Sequence, residues 1–130
     1  MTENPSNPAS KRRIAILMVQ SDVDRAEYCN LETWLLRLGF QLESVFCKRE
    51  TTRVVGSQRF DLAFVNMELR HERLLHAILS IRKYETPVVG FVTSSKRHES
   101  TLKSKFGFDD FLVLPVSHDI VLETLKRWIV

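Results

Sequence analysis

Apolar residues fall along this chain in two alternating rhythms, short unbroken runs and longer stretches at helical spacing. Ile14 to Val19 is a continuous apolar run, which suits a strand buried on both faces. From Asp22 to Leu38 the residues Leu31, Leu35 and Leu38, with Tyr28 and Trp34 beside them, recur as on one helix face, and Gly39 supplies a stop. Phe40 to Phe46 alternates apolar and polar residues as a half-buried edge strand does, and Arg49 to Ser57 has room for a short helix. Phe60 to Val65 reads as a third strand, and Glu68 to Tyr84 as a helix with Leu74, Leu75, Ile78 and Ile81 on one face. Pro87 then reopens an extended chain. Val88 to Val92 forms a fourth strand, Lys96 to Phe106 a polar helix ended by Gly107, Phe111 to Leu114 a fifth strand, and Asp119 to Ile129 a last helix. Strands alternating with helices predict an α/β domain: a parallel sheet with right-handed crossovers and helices on both faces. Such a sheet places its site at the carboxyl ends of its strands, near the switch point of the topology.

Composition changes this picture little. A length of 130 residues with 44% hydrophobic content fits one domain, read here as 13–130, long enough to bury a core without staples. Residues 1–12, rich in Pro, Asn and Ser, cannot offset their own ordering entropy and read as a disordered tail. The net charge of +3, with a sequence pI near 9.1, permits acidic partners without demanding them. No run is apolar enough for a membrane span and the amino terminus is polar, so the expectation is a soluble cytoplasmic protein. Cys29 and Cys47 lack metal-ligand spacing and read as reduced, buried thiols.

Asn66, closing the run Phe60-Asp61-Leu62-Ala63-Phe64-Val65, is the most informative single residue. The succession of Gly39-Phe40, Phe60-Asp61-Leu62, Pro87-Val88-Val89 and Gly107-Phe108-Asp109-Asp110-Phe111, followed by Pro115, resembles the receiver domain of bacterial two-component response regulators. The resemblance covers residues from about 13 to 130 and implies a flavodoxin-like, CheY-like fold with strand order 2-1-3-4-5. It also implies where phosphoryl-transfer chemistry belongs. The family places paired carboxylates for a divalent metal after strand one, an acceptor aspartate after strand three, a hydroxyl after strand four and a lysine before the proline after strand five. In this chain the acceptor position is Asn66 and the lysine position is Leu114. The hydroxyl position falls on Val92, or on Thr93 after a one-residue slip. The metal pair falls on Gln20 and Ser21, or on Ser21 and Asp22, with Asp22 then one surviving acid. The segment from Asn66 to Pro87 is also shorter than the family's and lacks its Met-Pro and Gly. An amide cannot accept a phosphoryl group, and a site with neither lysine nor several carboxylates cannot hold Mg²⁺ and a phosphoryl dianion without large uncompensated desolvation.

The resemblance therefore implies a phosphorylation-independent pseudo-receiver, with no catalytic activity, no cofactor and no metal, whose work is protein–protein interaction in signalling or transcription control. The surface that receivers commonly use to dimerise, fourth helix, fifth strand and fifth helix, maps to Lys96, Arg97, Lys103, Lys105, Asp109, Asp110, Phe111, Lys126 and Arg127. Phe111 also stands near the aromatic position that the family uses as a rotamer switch. Each of these residues has an ordinary reading beside the suggestive one: Asn66 as a polar strand end, Phe111 as rim or core, the charges as a solvated face. An alternative function is a small-ligand sensor, with Arg49 and Arg53 clamping a cyclic dinucleotide, although that spacing is common. His71, His76, His98 and His118 share no ligand spacing. The basic residues lack the interleaved aromatics of a single-strand nucleic-acid binder, and Gln20-Ser21-Asp22 is no phosphate loop for a flavin.

Overall fold

The structure, a computed structural model, describes residues 14–21, 29–93 and 107–129. The expected tail, Asp22 and the expected helix over 96–106, with Lys96, Arg97, Lys103 and Lys105, lie outside these. The described elements are β1 (Ala15–Val19), α1 (Cys29–Arg37), β2 (Gln41–Val45), α2 (Lys48–Ser57), β3 (Leu62–Asn66), α3 (His71–Arg82), β4 (Val88–Thr93), β5 (Asp110–Leu114) and α4 (His118–Trp128). The strands form one sheet in the order β2-β1-β3-β4-β5, and every neighbouring pair is parallel. This is the expected topology.

Continuous apolar strands occur because both sheet faces are covered. Along β1, Ala15, Leu17 and Val19 join one apolar cluster with Val54 and Val55 of α2 and Leu74, Ala77, Ile78 and Ile81 of α3. Ile16 and Met18 face the opposite way, into a second cluster with Leu31 and Leu35 of α1 and Val121 and Leu125 of α4. The period-two alternation of a strand thus feeds two separate helix layers. Burial of each Leu, Ile or Val side chain contributes roughly 1.5–3 kcal/mol, so these two clusters hold the fold together.

Local chemistry sets the element ends. Helix α1 stops at Gly39, whose φ of 89° only glycine adopts freely. There Gly39 N–H donates to the Leu36 carbonyl and Phe40 N–H to the Leu35 carbonyl, the paired bonds of a Schellman cap. Strand β3 begins at Leu62 rather than Phe60 because Asp61 closes the entry instead: its carboxylate accepts from Ala15 N–H at 2.9 Å. Gly90 is needed for a different reason. A Cβ there would lie 2.6 Å from the Met67 side chain, which is buried against the end of β4.

Three expectations are corrected. Leu75 does not share the inner face of α3: it is 40% exposed, and the small Ala77 takes the inward position beside Leu74, Ile78 and Ile81. Helix α3 starts at His71, not Glu68, because Glu68 belongs to a turn that crosses the strand ends. Cys47, expected to be buried, is an exposed free thiol just before α2.

Candidate functional site

Four of the positions singled out in the sequence end adjacent strands at one edge of the sheet. Gln20 follows β1, Asn66 closes β3, Thr93 closes β4 and Leu114 closes β5. Register puts Gln20 level with Asn66 and Thr93 level with Leu114, the second pair two residues farther along: Val19 pairs with Val65, Asn66 with Phe91 and Thr93 with Leu114. Val19, Val65, Val92 and Val113 pack on the α2/α3 side, so strand alternation turns Gln20, Asn66, Thr93 and Leu114 toward the α1/α4 side. The loop after β5 is pinned there by α1. Asn30 Oδ1 accepts from Val116 N–H at 2.7 Å, and the Trp34 indole donates to the Val116 carbonyl at 3.2 Å. The peptide bond before this residue pair, Leu114–Pro115, is cis.

The site is buried and its strand-end side chains carry no charge. Gln20 and Asn66 are fully buried, Leu114 is 1% exposed and Thr93 is 4% exposed. Of the two residues left open at the end of β4, Val92 is locked in the apolar cluster and Thr93 presents its hydroxyl. The negative charge comes from two glutamates that the sequence reading did not single out. Glu32, one turn into α1, accepts from Gln20 Nε2 at 2.5 Å and from the Ser44 hydroxyl at 3.0 Å. Glu68 accepts from both Thr93 N–H, at 2.8 Å, and the Thr93 hydroxyl, at 2.9 Å. Asn66 Oδ1 in turn accepts from Glu68 N–H at 2.8 Å. Two polar atoms at this edge, Gln20 Oε1 and Asn66 Nδ2, are buried without a partner among the described residues.

An edge of this kind, on a sheet of this order, invites comparison with known proteins. No family model matches the chain, and no curated protein sequence matches it. Solved structures do. The receiver domain of a Pseudomonas aeruginosa sensor histidine kinase is similar with a TM-score of 0.73 and 21% identity over 91% of this chain and 98% of that one. A putative response regulator of Chloroflexus aurantiacus gives 0.75 at 14% identity, covering 91% and 98%. The receiver domain of the Saccharomyces cerevisiae response regulator Ssk1, solved with the histidine phosphotransfer protein Ypd1, gives 0.69 at 17% identity, covering 90% and 89%. The chain has the receiver fold.

Magnesium is coordinated in the active-site cleft of the Pseudomonas aeruginosa domain. The described residues of this receiver-fold chain do not fit such an ion: they contain no group of three or more His, Cys, Asp or Glu side chains able to hold a metal. The residue after β1 is an amide, and the nearby Glu32 carboxylate is spent on that amide and on Ser44. Hard divalent cations need several oxygen anions or carbonyls to replace their water.

Elsewhere on the receiver fold, the predicted interaction surface is described only on β5 and α4. Asp109 and Asp110 are engaged within the fold. Asp109 Oδ2 accepts from Val88 N–H at 2.8 Å and pairs with Arg82 at 3.3 Å. Asp110 accepts from Phe111 N–H at 2.9 Å, from the Trp128 indole at 3.1 Å and from Arg127. Both carboxylates tie the amino end of β5 to its neighbours. Phe111 is half-buried against the α2/α3 cluster, and Lys126 is exposed. Burial pushes the Asp110 carboxyl up, but the bonds from Trp128, Phe111 and Arg127 outweigh it and hold the group below the usual carboxylate range. A lowered folded-state pKa stabilises above the unfolded value of about 3.9, and that contribution disappears as pH falls through the folded value. Asp110→Asn is therefore expected to cost about 1.5–3 kcal/mol at neutral pH, with the difference from wild type shrinking in acid, as read by urea unfolding across pH.

Arg49 and Arg53 are exposed one turn apart on the outer side of α2. They do not line the groove of about 420 Å³ that opens at the opposite edge of the sheet, where the ends of α2 and α3 bring together Gln58, Arg59, Lys83 and Tyr84. Among the described residues no helix is long and apolar enough to cross a membrane.

Proposed function

We propose that this chain is a phosphorylation-independent pseudo-receiver, a protein–protein interaction module in signal transduction or transcription control. One observation carries the reading. At the strand ends where a receiver would need an acceptor acid and a lysine, Asn66 and Leu114 are buried, uncharged and built into their surroundings. The scaffold is kept while the groups that would transfer a phosphoryl group are replaced, so the module works through its surface and catalyses nothing. With no covalent modification to shift it, any change of state comes from differential affinity for a partner. The partner surface proposed is β5 and α4 with the segment over 96–106, and a second copy of the chain is one candidate partner. On the described part of that surface Lys126 and the half-buried Phe111 remain as contact residues, while Arg127 is shared with Asp110. Incubation with a small phosphodonor and Mg²⁺, followed by intact-mass measurement, is expected to show no adduct; a stable phosphoryl adduct overturns the reading. Sedimentation as a function of concentration tests the second copy.

The ligand-sensor alternative draws support from the groove beside Arg59, Lys83 and Tyr84 rather than from Arg49 and Arg53. A cyclic dinucleotide seated there would raise the melting temperature by mass action. A thermal-shift screen separates this from a pure interaction module.

A further inference from the structure

The groove of about 420 Å³ where α2 and α3 end lies on the sheet edge opposite the strand-end site. Its volume falls within the roughly 300–1,000 Å³ of small-molecule sites. Arg59 and Lys83 are exposed on its wall, and among the described residues neither side chain makes an ion pair or a hydrogen bond. Cations near helix C-termini complement the dipoles there, but that account leaves two neighbours unexplained. Tyr84 lines the groove and also a small apolar gap beneath it, with Leu17, Phe60 and Ile81, so apolar packing anchors a residue that is still 46% exposed. Its hydroxyl lies over the end of α2, 3.9 Å from where a Cβ on Gly56 would stand. Glu85 follows with a φ of 62°, a conformation that glycine adopts without strain, and its N–H donates to the Arg82 carbonyl at 3.0 Å. A carboxylate is thus kept on a wall that already holds two cations, and among the described residues it pairs with neither. On the α2 side the Ser57 hydroxyl donates to the Val54 carbonyl at 3.0 Å, and the later carbonyls of that turn have no helical donor.

We propose that this groove binds a purine nucleoside monophosphate, with the phosphate on Arg59 and Lys83 and the base on Tyr84. This rests on the ligand-sensor alternative and deepens it, narrowing the ligand to a single nucleotide unit. The unpaired cations supply charge-assisted donors for one phosphate, and the open tyrosine supplies a flat apolar face for one base. The acceptors, the Glu85 carboxylate and the last carbonyls of α2, suit the ribose hydroxyls and an amino group on the base. A simple anion would use only the cations and a neutral aromatic only Tyr84, whereas a nucleotide meets all three kinds of group at once.

The test is a titration of ¹⁵N-labelled wild type with adenosine monophosphate, beside adenosine and inorganic phosphate at matched ionic strength. The amides of Gly56, Arg59, Tyr84 and Glu85 are expected to move saturably with the nucleotide, and adenosine or phosphate alone to bind at least about tenfold more weakly. No saturable movement of these amides, or movement with phosphate alone at the same midpoint, overturns the proposal. Arg59→Glu and Lys83→Glu, both at exposed positions, are each expected to weaken the nucleotide about tenfold or more, and Arg49→Glu on the outer side of α2 to leave it unchanged. Tyr84→Leu, which keeps apolar packing without the aromatic face, is expected to reduce nucleotide binding to the level of phosphate. Nucleotide binding that survives Arg59→Glu and Lys83→Glu overturns the proposal; should either variant not fold, the wild-type titration decides by itself. A cyclic dinucleotide that raises the melting temperature while adenosine monophosphate moves none of these amides removes the proposal and keeps the sensor alternative; silence in both experiments removes both. The phosphodonor result stands apart, since it reads a covalent adduct.

Discussion

Asn66→Asp is expected to lower the unfolding free energy by about 3 kcal/mol at neutral pH and to give no phosphoryl adduct with a small phosphodonor and Mg²⁺. Asn66 is fully buried, and its Oδ1 is already engaged by Glu68 N–H. The second carboxylate oxygen would stand where Nδ2 now does, in the same pocket as the Glu68 carboxylate that Thr93 holds. No lysine among the described residues answers it, because the strand end beyond β4 is Leu114. Burial and a like charge both favour the protonated acid, so the introduced group has a folded-state pKa above its unfolded value. The sign follows. Below about pH 3.9 the acid is neutral in both states and the penalty is absent; it grows as pH rises between the two pKa values and is complete above the folded one. Urea unfolding of variant and wild type across that range measures it. A variant as stable as wild type at neutral pH, or an adduct, would show that the site still accommodates the charge that phosphoryl transfer requires.

The scaffold behind this prediction was legible in the sequence because strands buried on both faces advertise themselves. Ile14 to Val19 and Val88 to Val92 could be little else, and both are central strands. Asn66 and Leu114 were found for the same reason: each closes such a run, so its position at the sheet edge follows from the run itself. Glu68 and Glu32 were not found. Glu68 stands at the start of one helical pattern, where the helix dipole is a sufficient local explanation for an acid, and Glu32 stands inside another, where a polar helix position explains it equally well. What gives them their roles is tertiary: Glu68 meets Thr93 25 residues away, and Glu32 meets Gln20 and Ser44, each 12 residues distant. Leu75 illustrates a different limit. Leu74 and Leu75 are adjacent and equally apolar, and helical periodicity of one chain cannot say which of two neighbours turns inward. The answer came from Ala77, whose small side chain lets α3 lie close on the sheet. Between Val92 and Thr93 the ambiguity was one residue, which in a strand is the whole difference between two faces. Register against Leu114 resolves it. Asp109 and Asp110 look like surface charges in sequence, and only the positions of Arg82, Trp128 and Arg127 show them to be internal fasteners.

Leu114→Lys is expected to cost about 3 kcal/mol by itself, and the pair Asn66→Asp with Leu114→Lys to be less damaging than the sum of the two by about 1–3 kcal/mol. The single change removes an apolar side chain that is 1% exposed in the α1/α4 cluster and puts an ammonium in its place. Part of that cost is offset locally. Leu114 is the register partner of Thr93, so a lysine there can turn its ammonium toward the Glu68 carboxylate. In the double variant the ammonium faces two carboxylates in place of one, and each introduced charge lowers the desolvation cost of the other. The strand order and register set the reach: β3 and β5 flank β4 and Leu114 lies two residues farther along than Asn66, so the two positions are about 12 Å apart, a span that a lysine and an aspartate cover from both sides. A double-mutant cycle by urea unfolding measures the coupling. Additivity within about 0.5 kcal/mol would mean that Asn66 and Leu114 close strands on either side of β4 without sharing one pocket, and the strand-end site would dissolve into unrelated positions. Coupling of the expected sign would show that the pocket still joins them. Phosphoryl transfer would not return with it, because Gln20 leaves the described site without the acids that hold a divalent metal.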